Sequence, residues 1–93
     1  MTNKKTDFNN KLKQEIIDEI HQLMPTSKVD IVKVQHGLMF NVQQPVKVNI
    51  IMVYDGDDLQ TPFLTIKTND RQVQTRLNYW CHENQDINSW YFM

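Results

Sequence analysis

The residues that could carry out chemistry in this sequence are few and widely spaced. The single cysteine, Cys81, is followed by His82, and the other two histidines are His21 and His36. Neighbouring residues on a helix point about 100° apart, so Cys81 and His82 cannot readily meet as a nucleophile and its base. Three dispersed histidines and one cysteine also lack the ligand spacing of a zinc site. The sequence therefore predicts no enzyme, no metal site and no cofactor.

An acidic segment at residues 55–58, Asp-Gly-Asp-Asp, offers carboxylates of the kind that calcium binds. The calcium loop of EF-hand proteins needs further ligands at fixed later positions and a closing glutamate, whereas residues 59–61 here are Leu-Gln-Thr. Asp-Gly is also a preferred sequence for a tight hairpin turn, because glycine adopts a positive φ at little cost. We therefore interpret the segment as a turn.

Four basic residues, Arg71, Arg76, Lys47 and Lys67, could form a modest basic patch. Ten basic and eleven acidic residues give a net charge of −1 without a large block of either sign, which does not favour a general attraction to phosphate backbones. The glycine–aromatic motif of RNA-recognition sheets is also missing from the sequence. Nucleic-acid binding through these four residues is therefore the alternative to the protein-binding hypothesis developed below.

The strongest structural signal is a β-hairpin over residues 46–68, where two runs of β-branched and aromatic residues flank the Asp-Gly turn. Pairing Val48 with Ile66 and Ile50 with Leu64 joins apolar residues and leaves residues 55–59 as the loop. Side chains alternate between the faces of a strand, so the fully apolar set is predicted to face the core. In the first arm this set is Val46, Val48, Ile50, Met52 and Tyr54.

Two helices are predicted to cover this hairpin. Apolar residues at three- and four-residue spacing indicate a helix from an N-cap at Thr6 to about Met24, before Pro25. A capping box at residues 69–72, with Asn69 as the cap, indicates a second helix that ends at Glu83 or Asn84. The polar face of the first helix carries charges of mixed sign, which favours a helix packed on its own sheet over one that binds a partner or a membrane surface, and the second helix is expected to pack on the sheet in the same way.

Valine-rich and alternating runs at residues 28–35 and 38–43 add two strands before the hairpin. The sequence thus predicts one α+β domain over residues 1–93, with residues 1–6 disordered. Its architecture is a two-layer fold, α-β-β-β-β-α, in which a four-stranded antiparallel β-meander carries the N-terminal and C-terminal helices on one face. An aromatic C-terminal tail follows, for which a fifth strand, a helical turn capped by Asp86 and a continuation of the second helix remain alternatives.

If both helices cover one face of the sheet, apolar residues of the hairpin remain on the other. Such a patch is typical of an interface, unless the tail from Ile87 onward folds over it. Aromatic residues are enriched where interfaces concentrate binding energy. We therefore expect a non-enzymatic protein-binding module, whose partner is another protein or a second copy in a homodimer. The predicted contact residues are Ile51, Val53, Phe63, Trp90, Tyr91 and Phe92.

The location expected from the sequence is the cytoplasm. The first residues lack the apolar stretch of a signal peptide, the lone cysteine cannot form an internal disulfide, and no apolar run approaches the roughly 18 residues of a membrane span. A small inhibitor or accessory protein of a phage or mobile element would fit the size and the abundance of Asn, Gln, Lys and Ile.

Overall fold

The computed structural model describes residues 4–55, 58–84, 87 and 89–92, with side chains at 11–54, 62–84 and 87. The chain has the predicted α+β class and element order, helix, four antiparallel strands, helix, and it adds one strand at the end. The elements are α1 (Lys4–Leu23), β1 (Val29–Val34), β2 (Gly37–Val42), β3 (Val48–Asp55), β4 (Asp58–Thr68), α2 (Arg71–Glu83) and β5 (Ser89–Phe92).

The first helix starts earlier than predicted. It includes Thr6, which therefore lies inside α1 rather than capping it, because the preceding lysines are themselves good helix formers. Disorder was predicted for residues 1–6: residues 4–6 instead belong to α1, whereas residues 1–3 fall outside the described part, where the disorder stays a prediction. The end is as predicted: α1 stops at Leu23, and the Met24 N–H donates a last hydrogen bond of 2.8 Å to the Ile20 carbonyl before Pro25.

All five strands form one sheet in the order β1-β2-β3-β4-β5. The first four are antiparallel neighbours, whereas β5 runs parallel to β4, with Phe63 paired to Ser89 and Ile66 to Phe92. A parallel pair needs a crossover of about a dozen residues or more, which α2 with its 13 residues supplies. Of the three alternatives for the tail, the fifth strand is the one observed.

The pairing of β3 with β4 differs from the predicted register by two residues. Ile50 pairs with Ile66 rather than with Leu64, and Val48 pairs with Thr68. The strands also run further into the turn, since Asp55 pairs with Asp58 and only two residues separate them instead of a five-residue loop. Two-residue connections suit the twist of paired strands, and an irregularity between Val53 and Asp55 accommodates this turn together with the shifted register of the rest of the hairpin. A shift of two leaves each side chain on its predicted face.

The face of the sheet that carries the helices, here called the inner face, is the core of the protein. Its central side chains are at most 3% exposed: Phe40, Val42, Val48, Ile50, Met52, Leu64 and Ile66. The helices bury their apolar stripes against it, α1 through Leu12, Ile16 and Ile20, and α2 through Val73, Leu77 and Cys81. Both helices therefore lie on one face, as the sequence predicted.

The start of α2 is one residue later than predicted. Asp70, not Asn69, is the N-cap, and its Oδ1 accepts a hydrogen bond of 2.9 Å from the Val73 N–H. The reason lies two residues before the cap: the Thr68 hydroxyl accepts a hydrogen bond from the Asp70 N–H and donates one to the Lys47 carbonyl. This tie to the sheet holds Asp70 in the extended conformation that a cap requires.

Candidate interaction surface

The candidate site is the outer face of the sheet, on the side opposite α1 and α2. Strand pairing arranges its side chains in three rows that cross β1, β2, β3 and β4 in that order. The polar row is Asp30, Asn41, Asn49 and Lys67. The middle row is Val32, Met39, Ile51 and Thr65. The end row is Val34, Gly37, Val53 and Phe63.

The middle and end rows are almost entirely apolar, yet no helix in the described part of the chain covers them. Val32 is 45% exposed, and Ile51, Val53 and Phe63 are half-buried. Their partial burial comes from their place within the sheet, because neighbours in a row lie only about 5 Å apart and shield one another. The structure thus brings the three predicted hairpin residues together on one open face.

The other three predicted contact residues, Trp90, Tyr91 and Phe92, belong to β5, and their side chains lie outside the described part. In the strand register Trp90 stands beside Leu64, and Tyr91 beside Thr65 of the middle row. The tail backbone therefore extends the sheet at the edge of β4 and does not cross the outer face. Of the two alternatives, a tail folded over the hairpin patch is not the one that the backbone of residues 89–92 adopts, since the crossover through α2 returns the chain to the sheet edge.

Sequence reasoning missed the contribution of the first two strands to this surface. Val32, Val34 and Met39 continue the apolar rows across β1 and β2. The signal was present, because each lies on the second face of a strand whose first face is already apolar. Only the pairing of β2 with both neighbours joins them to the hairpin patch.

The polar row has opposite charges at its two ends. Between them the Asn49 side-chain amide donates a hydrogen bond to the Asn41 carbonyl oxygen. Asp30 and Lys67 are both exposed, and neither has an ion-pair partner within the described residues. Three strand spacings of about 4.8 Å put them about 14 Å apart, so they cannot pair with each other in one chain.

The four residues of the nucleic-acid alternative fall into two separate groups. Arg71 and Arg76 line a groove between the end of α1 and the start of α2. Lys47 and Lys67 line a different cleft, at the polar-row end of the sheet. Burial raises the pKa of the Glu19 carboxyl, and the nearby Arg76 guanidinium opposes that rise, so part of the arginine charge is offset within the chain.

Cys81 faces the core and is 2% exposed. Burial, followed by the charge of Glu19, raises the pKa of its thiol to about 12, so it stays protonated, whereas His82 beside it is exposed. Among the described residues, no group of His, Cys, Asp or Glu converges in the manner of a metal site. Nor does any helix in that part of the chain have the length and apolar character needed to cross a membrane.

No protein-family model, no curated protein and no solved structure matches this chain. The functional interpretation therefore rests on the geometry of the outer face. That face is contiguous, half apolar or more, and open to a partner along four strands. It offers a flat shape and apolar area, with charged side chains only at the ends of the polar row.

Proposed function

We propose that this chain is a non-enzymatic protein-binding module that acts through the outer face of its sheet. The observation that supports the proposal is the pair of apolar rows, which stand in water on the side away from the helices. An antiparallel sheet with one solvated face normally carries polar residues there. Contiguous apolar surface of this kind is typical of an interaction site, because a partner gains about 25 cal/mol for each Å² removed from water.

The size of the face also bears on the partner. Four strands at about 4.8 Å and three rows at about 6.7 Å give a flat area of about 400 Å². A standard protein interface takes about 800 Å² from each side, so the rows alone support only a weak complex. We propose that Tyr91 adds to the contact, since β5 continues the same sheet and Tyr91 stands beside Thr65 of the middle row. The predicted contacts of Trp90 and Phe92 are not part of this proposal, because these residues pair with Leu64 and Ile66 of the inner face. The cytoplasmic location and a role in a phage or mobile element stay predictions.

The proposal is tested by capture from a lysate of the source cells, followed by titration of the purified captured protein. The informative variant is Ile51→Asp, which places a charge in the middle row. The control is Tyr79→Ser on α2, where the side chain is 67% exposed and distant from the outer face. We expect the wild type and the control to bind alike, and Ile51→Asp to bind at least tenfold more weakly.

Two further results decide the test. Because Ile51 is half-buried, urea unfolding must show that the Ile51→Asp chain is still folded. If that chain is unfolded, Val32→Asp replaces it as the test variant, because Val32 is a more exposed position in the same row. Deleting residues 90–93 should weaken binding while the chain stays folded. A captured protein that binds both Asp variants as tightly as the wild type would rule out the outer face.

The alternative is nucleic-acid binding through Arg71, Arg76, Lys47 and Lys67. The observation that favours it is the shared cleft of Lys47 and Lys67, which is also lined by side-chain amides. It predicts retardation of a nucleic acid on a gel that fades as salt rises, and loss of that retardation in the double variant Lys47→Gln/Lys67→Gln. Capture that depends on Ile51 with no retardation at low salt favours the protein-binding proposal.

A further inference from the structure

We propose that the outer face binds a second copy of this chain, across a two-fold axis that runs parallel to the strands between β2 and β3. This inference rests on the proposed function, because it names the partner of the same face. Under this rotation the three rows are complementary to themselves, because opposite charges face each other and small side chains face larger ones. Most homodimers have two-fold symmetry, and such an interface places one patch against itself.

The geometry follows from the strand order. Rotation about this axis reverses the sheet from left to right, so β1 faces β4 of the second copy and β2 faces β3. Each row keeps its place along the strands and faces the same row of the other copy. Sheets packed face to face in this aligned way lie about 10 Å apart with their side chains interdigitated.

The polar row gives the clearest complementarity. Asp30 of one copy faces Lys67 of the other, and the symmetry repeats the contact, so the dimer gains two ion pairs. Within one chain these two charges stand about 14 Å apart and are unpaired in the described part. Asn41 faces Asn49 of the second copy, where spare amide groups can hydrogen-bond across the interface.

The apolar rows are complementary in size. In the end row Gly37 faces Val53 of the second copy and Val34 faces the larger Phe63, so small positions lie opposite large ones. In the middle row Met39 faces Ile51, two flexible or branched apolar side chains of similar volume. Pairing small with large lets two layers interdigitate without voids.

The other two-fold axis in the plane of the sheet, perpendicular to the strands, gives no such match. It would set the polar row against the end row, with Asp30 opposite Val34 and Lys67 opposite Phe63 of the second copy. Each charge would then be covered by an apolar side chain without a partner, which is costly. The parallel axis is therefore the one that the residues favour.

The expected dimer is weak. A flat contact of about 400 Å² per copy lies at the low end of specific interfaces, and association also costs translational and rotational freedom. We expect a dissociation constant in the micromolar range or above. The appropriate measurement is sedimentation or light scattering from micromolar to millimolar protein, at low and at high salt.

The test uses two charge reversals, Asp30→Lys and Lys67→Asp. Each variant alone puts like charges together at both ends of the dimer, so self-association should weaken roughly tenfold or more. An equimolar mixture of the two variants should associate as well as the wild type, because a mixed pair places opposite charges at both ends. Rising salt should reduce this recovery.

Matched controls are Lys11→Asp and Glu83→Lys, which make the same charge changes at exposed positions on the helices and should leave association unchanged. Association of the mixture as strong as that of the wild type would establish that the partner is a second copy of this chain and that the two-fold axis runs parallel to the strands. A wild-type dimer with variants that do not recover when mixed would overturn the axis. A monomer up to millimolar concentration would overturn the inference, while capture of another protein that depends on Ile51 would still support the proposed function.

Discussion

The two faces of the same strands differ in what covers them, although both carry apolar side chains: the helices cover the inner face, and no helix in the described part of the chain covers the middle and end rows of the outer face. Ile50 and Ile51 are neighbours on β3, yet Ile50 is 0% exposed beneath the helices while Ile51 is half-buried on the open side. An ordinary one-sided sheet would place a polar residue at the second position. Apolar side chains on the inner face are explained by the core that they form with the helices. Those on the outer face have no such cover within the described part of the chain and need another explanation.

The difference between the two faces is tested most directly by truncating Ile50 and Ile51 to alanine. Ile50→Ala removes packed atoms from the core and should cost about 2–5 kcal/mol of unfolding free energy. Ile51→Ala in the monomer should cost at most about 1.5 kcal/mol, because its side chain never leaves water completely. Urea unfolding of both variants at low protein concentration measures the difference.

The same pair of variants can also contradict the interpretation. If Ile51→Ala costs as much as Ile50→Ala in dilute protein, then some part of the chain covers the outer face. A cost for Ile51→Ala that grows with protein concentration would instead point to a self-associated face, because association stabilises the folded state by mass action.

The second prediction concerns Gly37, where an added side chain would meet the backbone of the neighbouring strand β3. A Cβ added at Gly37 would lie 1.8 Å from the carbonyl oxygen of Met52. Neither strand can yield without disturbing the pairing of β2 with β3, so Gly37→Ala should cost about 1–3 kcal/mol or more. Thermal or urea unfolding measures it, and Val34→Ala, a half-buried position in the same row where the substitution only removes atoms, is the control. Equal costs for the two variants would contradict a backbone clash at Gly37.

The inner face was predictable from the sequence because its pattern is local. Alternation in β3 and β4 fixes which side chains share a face, and a register error of two residues leaves those faces unchanged, so Ile50 was placed in the core despite the wrong partner. The outer face depends on which strands lie side by side. The order of the strands and the return of β5 to the edge of β4 depend on packing across the whole sheet. A short stretch of sequence carries no information about contacts between residues that are far apart in the chain.

A third prediction uses pH to probe the inner face at the far end of β3. Tyr54 is 8% exposed, its hydroxyl has no hydrogen-bond partner within the described part, and burial raises its pKa from 10.0 to about 12. The folded state therefore holds the phenol proton more tightly than the unfolded state. Its contribution to stability is complete below pH 10 and is lost as pH rises toward 12.

The corresponding variant is Tyr54→Phe. At about pH 11, one unit above the ordinary tyrosine pKa, the alkaline loss of unfolding free energy should be about 1.4 kcal/mol smaller in Tyr54→Phe than in the wild type. Cys81, whose pKa is raised in the same direction, adds an alkaline loss of stability that both chains retain. Near neutral pH the variant should be as stable as the wild type or slightly more so, since it buries no unpaired hydroxyl. Parallel alkaline profiles would show that Tyr54 is accessible to water and that this end of the inner face is open.

The smallest expected effect tests how α2 is fixed over the inner face. Asp70→Ala removes the hydrogen bond to the Val73 N–H and should cost about 1 kcal/mol, whereas Asn69→Ala, one residue earlier and exposed, should cost little. Asp70→Asn separates the two contributions of the cap, because the amide oxygen keeps the hydrogen bond but loses the charge at the positive end of the helix. Urea unfolding of the three variants ranks them. If Asn69→Ala were the costlier change, α2 would begin one residue earlier, with Asn69 as its cap, as the sequence predicted.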